Sequence, residues 1–304
     1  MDFVSFDFPL SKEQQQAKDK VVNQLLKNKY VKQWQQKHGV DDQFIYAHST
    51  RFQAYVNDLE KCENCCGLAY CRQIIPGNYF TLQYDGMLQK VLVPCRYQIE
   101  EKAMYAHEKR YYIADMPRAY LKVNLGELNL ADESLEYRNV LSEAMRILLS
   151  DKSRKGLYLW GKPGAGKSYL AAGMSNYYAK NGKKVAFVNV PKLIGDLKML
   201  FHDNIAREDK MYHLYHVDVL VLDDIGGESI TPWSRDEVLL PLLDQRMEAK
   251  KLTIFTSNYN LQELKEKLSE SNGKNDEPMA AERILERIRT LSQEIFVKGN
   301  SRRK

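Results

Sequence analysis

The chain has no run of about 18 apolar residues, so nothing in it is long enough to cross a bilayer as a helix. Its opening, Met1-Asp2-Phe3-Val4-Ser5-Phe6-Asp7, carries acids where a secretory leader needs bases, and a cytoplasmic protein is expected. Cysteine is scarce and confined. Five occur in 304 residues, all between Cys62 and Cys95, which excludes a disulfide framework spread over the fold and makes a local metal site the question. Histidine is absent between His48 and His107, so a ligand set in that stretch would be built from thiols. Neither sign of charge dominates: 45 Lys and Arg against 40 Asp and Glu leave +5, compatible with nucleic acid but not a mark of it. A chain of 304 residues should hold about two domains.

What is present centres on Gly161-Lys162-Pro163-Gly164-Ala165-Gly166-Lys167-Ser168, a complete G-x-x-x-x-G-K-[ST] phosphate-binding loop. Gly156–Trp160 before it reads as a short buried strand. From Tyr169 to Ala179 the pattern is helical and stops near Gly182. Glycines let backbone N–H groups curl around phosphate oxygens, and the helix that follows points its positive end at the same anion. Lys167 would reach the β- and γ-phosphates of ATP and the Ser168 hydroxyl would hold Mg²⁺. The whole loop, with Tyr169 beside it, is the expected nucleotide-binding set.

Residues 1–60 read as helical. Ser11 and Gln14 form a capping-box pattern opening a helix towards Leu26, and a second helix starting at Asp41 or Asp42 would put Ile45, Phe52, Val56 and Leu59 on one face. Cys62, Cys65, Cys71 and Cys95 follow as C-x2-C-x5-C-x23-C, a density at which thiolates can close a tetrahedral, structural Zn²⁺ shell. Cys66 can take the place of Cys65, leaving one of the two spare. Tyr79–Tyr84 and Leu88–Val93 around Asp85-Gly86 read as a β-hairpin that would return Cys95 to the first pair. Residues 100–135 read as a connector, with Asn129–Asp132 leading into a helix over 134–149 and the charged turn 150–155 leading out. The expected division is a front domain over 1–120 and an ATPase domain over 121–304.

The second half alternates strand and helix, which implies an α/β fold with a parallel sheet covered on both faces. Strands are expected at 184–190, 217–222, 252–256 and 294–297, and helices after Pro191 and over 232–249. The apolar strand 217–222 ends in Asp223-Asp224, the Walker B pattern. Asp223 would hold Mg²⁺, and Asp224 stands where a base or water-orienting carboxylate belongs. Strand 252–256 ends in Thr256-Ser257-Asn258, and Asn258 is the candidate for orienting the attacking water. In Ala281–Arg289, Arg283 and Arg287 lie at i and i+4 on one helix face. An arginine offered from there to a neighbour's γ-phosphate would stabilise transition-state charge.

Together these parts resemble the AAA+ ATPases and, more narrowly, the bacterial replicative-helicase loaders of the DnaI/DnaC type. The residues that carry the resemblance are Gly161–Ser168, Leu220–Gly226, Thr256–Asn258, Glu282–Ile288 and the ending Gly299–Arg303. The cysteine cluster resembles the zinc-bearing, helicase-binding domain of the DnaI branch. The resemblance implies that Lys167 and Ser168 bind nucleotide and Mg²⁺, that Asp223 is the Walker B acid, and that Asp224 sits at the catalytic carboxylate position. It further implies that Asn258 is the sensor 1 residue, Arg287 the arginine finger, and Arg302 or Arg303 a group near the phosphates. The implied partners are a replicative DNA helicase hexamer, single-stranded DNA and further copies of the chain through the ATPase domain. Departures exist. Asp224 stands where many AAA+ proteins have Glu, no His is available for the zinc set, and too little chain follows Arg283 for a full helical lid.

Three other readings are compatible with parts of this pattern. A transposition helper ATPase of the same clade would share the nucleotide site, but not a cysteine-rich front domain. A small-molecule P-loop kinase would need a substrate-closing lid with arginines, and no such insertion is evident. In a non-hydrolysing adaptor ATP would be structural only, which leaves Asp223-Asp224 without a use.

Overall fold

The computed structural model describes residues 11–128, 134–149, 155–269 and 277–298. The turns expected at 129–132 and 150–154, and Gly299–Arg303 with Arg302 and Arg303, lie outside them. The chain divides into two compact units, Met1–Ala103 and Met104–Lys304.

In the first unit Ser11 caps α1 (Lys12–Leu25) through the expected reciprocal pair with Gln14. Where one helix was expected from Asp41 there are two, α3 (Asp42–Ala47) and α4 (Ser49–Glu60), broken at His48. Ahead of them α2 (Lys29–His38) starts on an Asn28 cap and stops at left-handed Gly39. The hairpin forms as expected from β1 (Asn78–Tyr84) and β2 (Leu88–Pro94), paired antiparallel. Trp34 fixes helices to hairpin, donating from Nε1 to Leu82 O at 2.9 Å and meeting Phe52 edge-on at 4.9 Å. Val31, Ile45, Phe52, Val56, Leu82 and Leu88 complete this core. The unit closes with α5 (Arg96–Met104).

The second unit is a three-layer α/β fold. Its strands are β3 (Tyr111–Ala114), β4 (Gly156–Trp160), β5 (Val185–Asn189), β6 (Val219–Asp223), β7 (Leu252–Ser257) and β8 (Ser292–Phe296). They form one parallel sheet in the order β3-β5-β6-β7-β4-β8. The inner strands are buried on both faces, as parallel strands under helices must be. One face packs α6 (Leu135–Leu149) and α7 (Lys167–Lys180). The other packs α8 (Val190–Met199), α9 (Asn204–His216), α10 (Leu240–Glu248), α11 (Leu261–Ser269) and α12 (Pro278–Leu291). The helix expected over 232–249 begins instead as a π-helical turn, Trp233–Leu239. Pro241 near the start of α10 supplies the cause, since it has no N–H for the i→i−4 ladder. Among the described residues one strand, β8, follows α12, so no full lid is seen.

The boundary expected at 120/121 lies at 103/104. Residues 105–128 are built into the second unit, where β3 extends the sheet beside β5. Tyr111 Oη lies 2.8 Å from both Ser175 Oγ and Asn176 Oδ1 on α7. Asn176 Nδ2 donates to Tyr120 O and Val123 O at 2.7 and 3.0 Å.

Candidate nucleotide-binding site

The sheet order sets the site. Strand β7 lies between β4, which leads into the glycine loop, and β6, which ends in Asp223, so the ends of all three meet at one edge. The loop turns through left-handed glycines, Gly164 at φ 83° and Gly166 at 96°. Gly161, at φ 148°, is clamped: its N–H donates to Ser257 O at 3.2 Å, and a Cβ there would lie 2.5 Å from Val297 O. Lys162 and Pro163 are exposed at the tip, and Ala165 is buried. No side chain caps the first turn of α7, which leaves its positive end facing into the loop.

Lys167 is buried, and its Nζ donates to Gly161 O at 2.7 Å, Lys162 O at 3.0 Å and Asn258 Oδ1 at 2.9 Å. Asn258 turns its other end to Asp224, donating from Nδ2 to Oδ1 at 3.0 Å. One amide thus joins the loop lysine to the carboxylate after β6. Thr256, buried on β7, donates from Oγ1 to Asp223 Oδ1 at 2.7 Å and accepts from Asp224 N–H at 3.0 Å. Asp224 takes φ 60°, a left-handed conformation uncommon for a residue with a side chain. Burial lifts the Asp223 carboxyl above the usual carboxylate range and the charge of Asp224 adds to this, opposed by hydrogen bonds from Ser168, Thr256 and Asn189. Ser168 and Asp223 are therefore in contact as a hydroxyl and a desolvated carboxyl short of positive charge. They are hard oxygen donors that fit Mg²⁺ and would hold it; when bound it neutralises phosphate charge.

Residues 100–304, more than half of the chain, match the family model described as IstB-like ATP binding protein. The chain belongs to this family. It is 28% identical over 294 residues to the replicative helicase loader DnaI of Bacillus subtilis (strain 168), covering 95% of this chain and 93% of that one. It is 32% identical over 122 residues to the replicative helicase loader DnaC of Buchnera aphidicola subsp. Baizongia pistaciae, 40% of this chain and 49% of that one. A crystal structure of DnaI superposes with a TM-score of 0.54 at 35% identity, covering 65% of this chain and 99% of that one. The AAA+ type of α/β fold expected from the sequence is thereby shown, and an ATP-binding family accounts for the glycine loop.

Of the expected site residues, Lys167, Ser168, Asp223, Asp224 and Asn258 come together. Tyr169 faces the segment between β3 and α6, meeting Tyr120 edge-on at 5.5 Å. Arg287 stands apart on α12. Its Nε donates to Asp244 Oδ1 on α10 at 2.7 Å, and Nη1 to Glu286 and to Arg283 O. Sequence reasoning gave no role to Thr256 or Asn189. The available signals were a polar residue in a fully buried strand and a helix-capping Asn at a strand end, where Asn189 Oδ1 accepts from Lys192 N–H at 3.1 Å.

The expected zinc shell is not assembled: among the described residues no group of three or more His, Cys, Asp or Glu is placed to hold a metal ion. The thiols are engaged locally. Cys62 Sγ accepts from Gln73 Nε2 at 3.2 Å and Cys71 Sγ from Gly77 N–H at 3.4 Å, while Cys66 turns to Asn64 O and Cys65 to Gly67 O. The hairpin brings Cys95 to Gly77 rather than into a shell with the first cysteine pair, its N–H donating to Gly77 O at 2.8 Å. Among the described residues no helix is long and apolar enough to span a membrane.

Proposed function

We propose that this chain is an ATP-dependent loader in cytoplasmic DNA replication. Its front unit grips a replicative DNA helicase, and its ATPase unit helps place that helicase on single-stranded DNA during initiation or restart. The observation that carries the reading is the extent of the likeness to DnaI, which runs through 95% of the chain and so includes the front unit. The nucleotide site alone belongs to many proteins.

At that site Lys167 would neutralise the β- and γ-phosphates, leaving the carbonyls it now meets. Asp224 and Asn258 would hold the attacking water. Its oxygen bonds to the γ-phosphorus as the bond to the β–γ bridging oxygen breaks, and its proton leaves towards Asp224. Arg287, on an outer helix and away from its own glycine loop, would serve the nucleotide of an adjoining copy after giving up Asp244. ATP drives the cycle only so far as it binds two arrangements of the assembly unequally.

The test mixes the chain with the replicative helicase of the same source, with and without ATP, and weighs the complexes by native mass spectrometry. A helicase complex, and loading that Lys167→Ala abolishes, are expected. A Lys167→Ala protein that loads helicase with unchanged ATP dependence overturns the reading. The IstB-like family model favours a second reading, a transposition helper ATPase, since it matches only residues 100–304 and so leaves the front unit aside. Retention of a transposase but not of a helicase by the immobilised chain would put that reading first.

A further inference from the structure

The turn after β6 carries the carboxylate assigned to the water, and it is held under strain. Two of its residues are left-handed, Asp224 at φ 60° and Gly226 at 89°. Such a conformation is disfavoured for a residue with a side chain and persists only where neighbours over-determine it. Three of the four N–H groups in the turn are held by β7 or by the turn itself. Asp224 N–H meets Thr256 Oγ1 at 3.0 Å, Ile225 N–H meets Thr256 O at 2.9 Å, and Gly227 N–H meets Asp224 O at 2.9 Å. The fourth, Gly226 N–H, is buried and meets a side chain, Glu228 Oε2, at 2.8 Å.

Glu228 is 5% exposed, and its second oxygen, Oε1, is buried with no hydrogen-bond partner among the described residues. An apolar side chain of the same size would fill that space without leaving a polar atom unpaired. What the carboxyl adds is the acceptor for Gly226. Gly226 itself is tightly seated, since a Cβ there would lie 2.8 Å from Leu264 Cδ1 and 3.1 Å from Tyr259 Cδ2. Gly227 leaves the room that the Asp224 carboxylate occupies, for a Cβ on it would lie 2.5 Å from Asp224 Oδ2. The turn is thus pinned at both ends, by Thr256 at Asp224 and by Glu228 at Gly226, with the Asp224 carboxylate folded over it towards Asn258.

We propose that Glu228 is a positioning residue of the ATPase site: by accepting from Gly226 N–H it locks the turn that aims Asp224 at Asn258. It acts through Asp224 and touches no nucleotide. The inference rests on the proposed ATP turnover.

The experiment uses the full chain with Glu228→Met, which keeps the volume and removes the acceptor, and Glu228→Gln, which keeps an acceptor. Glu228→Met is expected to lower kcat for ATP ~10- to 100-fold, with the affinity for a fluorescent ATP analogue within about 3-fold of wild type. Its Tm should stay within about 3 °C of wild type. Glu228→Gln should recover most of the rate. Because the effect passes through Asp224, Glu228→Met should add almost nothing to an Asp224→Ala background. In ¹⁵N-glycine-labelled protein the Gly226 amide proton should move upfield in Glu228→Met and not in Glu228→Gln. If wild type turns over ATP and Glu228→Met does so equally fast, or if the two variants' losses multiply, the Glu228 assignment falls alone. A wild-type chain without turnover overturns the ATPase reading, and the role of Glu228 with it.

Discussion

Arg246 should be among the most damaging positions to change, although it lies outside the nucleotide site. Its side chain is fully buried on α10. Nε donates to Thr253 Oγ1 at 2.9 Å, Nη1 to Leu214 O and Val217 O at 2.9 and 3.0 Å, and Nη2 to Leu252 O at 2.6 Å. Leu214 is in the last turn of α9, whose carbonyls run out of helical donors. The next N–H that might return to it, that of Asp218, goes to Lys184 O instead. In Arg246→Met these buried acceptors lose their donor at about 1–3 kcal/mol each, offset by no longer desolvating a guanidinium. A net loss of about 3–5 kcal/mol follows, a large share of the roughly 5–15 kcal/mol that holds a domain together. At about 2–4 °C per kcal/mol, Tm should fall by roughly 10 °C. Thermal unfolding of the full chain followed by circular dichroism measures this. Arg246→Lys, with three donors on one nitrogen, should fall in between. A Tm for Arg246→Met within about 2 °C of wild type would refute the reasoning, since it would mean that the carbonyls find water or other donors when the guanidinium goes.

Asn258→Ala removes the amide linking Lys167 to Asp224, and should lower kcat for ATP ~100-fold while changing nucleotide affinity much less; equal losses in both would show that Asn258 serves binding alone. His107 is buried against Asn176, and burial holds its imidazole below the ordinary 6.5. The fold therefore favours the neutral ring, its contribution is complete above that value, and stability should drop as pH falls below it. The Tm difference between pH 7.5 and 5.5 should shrink in His107→Gln, and an unchanged difference would exclude His107 as the source. All five cysteines are free in the described arrangement, so a thiol-reactive chromophore should count five per chain with or without prior chelation. A count that rises after chelation would reinstate the zinc shell.

The glycine loop, the capping box and the hairpin were legible because each is written in a few adjacent residues. Walker B was legible because an apolar strand ending in two acids has few other uses beside such a loop. The contacts that make these parts a site were not legible. Thr256 meets Asp223 across 33 residues of sequence, and Asn258 meets Lys167 across 91, so nothing local announces either pair. Strand β3 escaped notice because its four residues, Tyr111 to Ala114, alternate between half-buried and exposed while none is charged or strongly polar, so the sequence shows no alternation, and with it went the boundary. The cysteine spacing suggested a tetrahedral shell, but spacing cannot say whether a sulfur will turn to a metal or to the amide of Gln73 or Gly77. For Arg287 the sequence offered a finger, and could not show the carboxylate of Asp244 already holding it.

The brace on Gly161 has a consequence for the order of assembly. Val297, which leaves Gly161 room only for a hydrogen, lies just past β8, and its N–H donates to Trp160 O at 2.7 Å. Strand β8 pairs with β4, but its residues are joined to the chain some 136 positions later, as in the pairing of Gly156 with Ser292. During synthesis the glycine loop therefore emerges long before the strand that fixes its first residue. A growing chain in which β3 to β7 have already met would hold Gly161 through Ser257 O at the end of β7, but without the wall that Val297 supplies. The wall that admits only glycine at position 161 is thus among the last contacts of this sheet to form, long after the loop it shapes has left the ribosome.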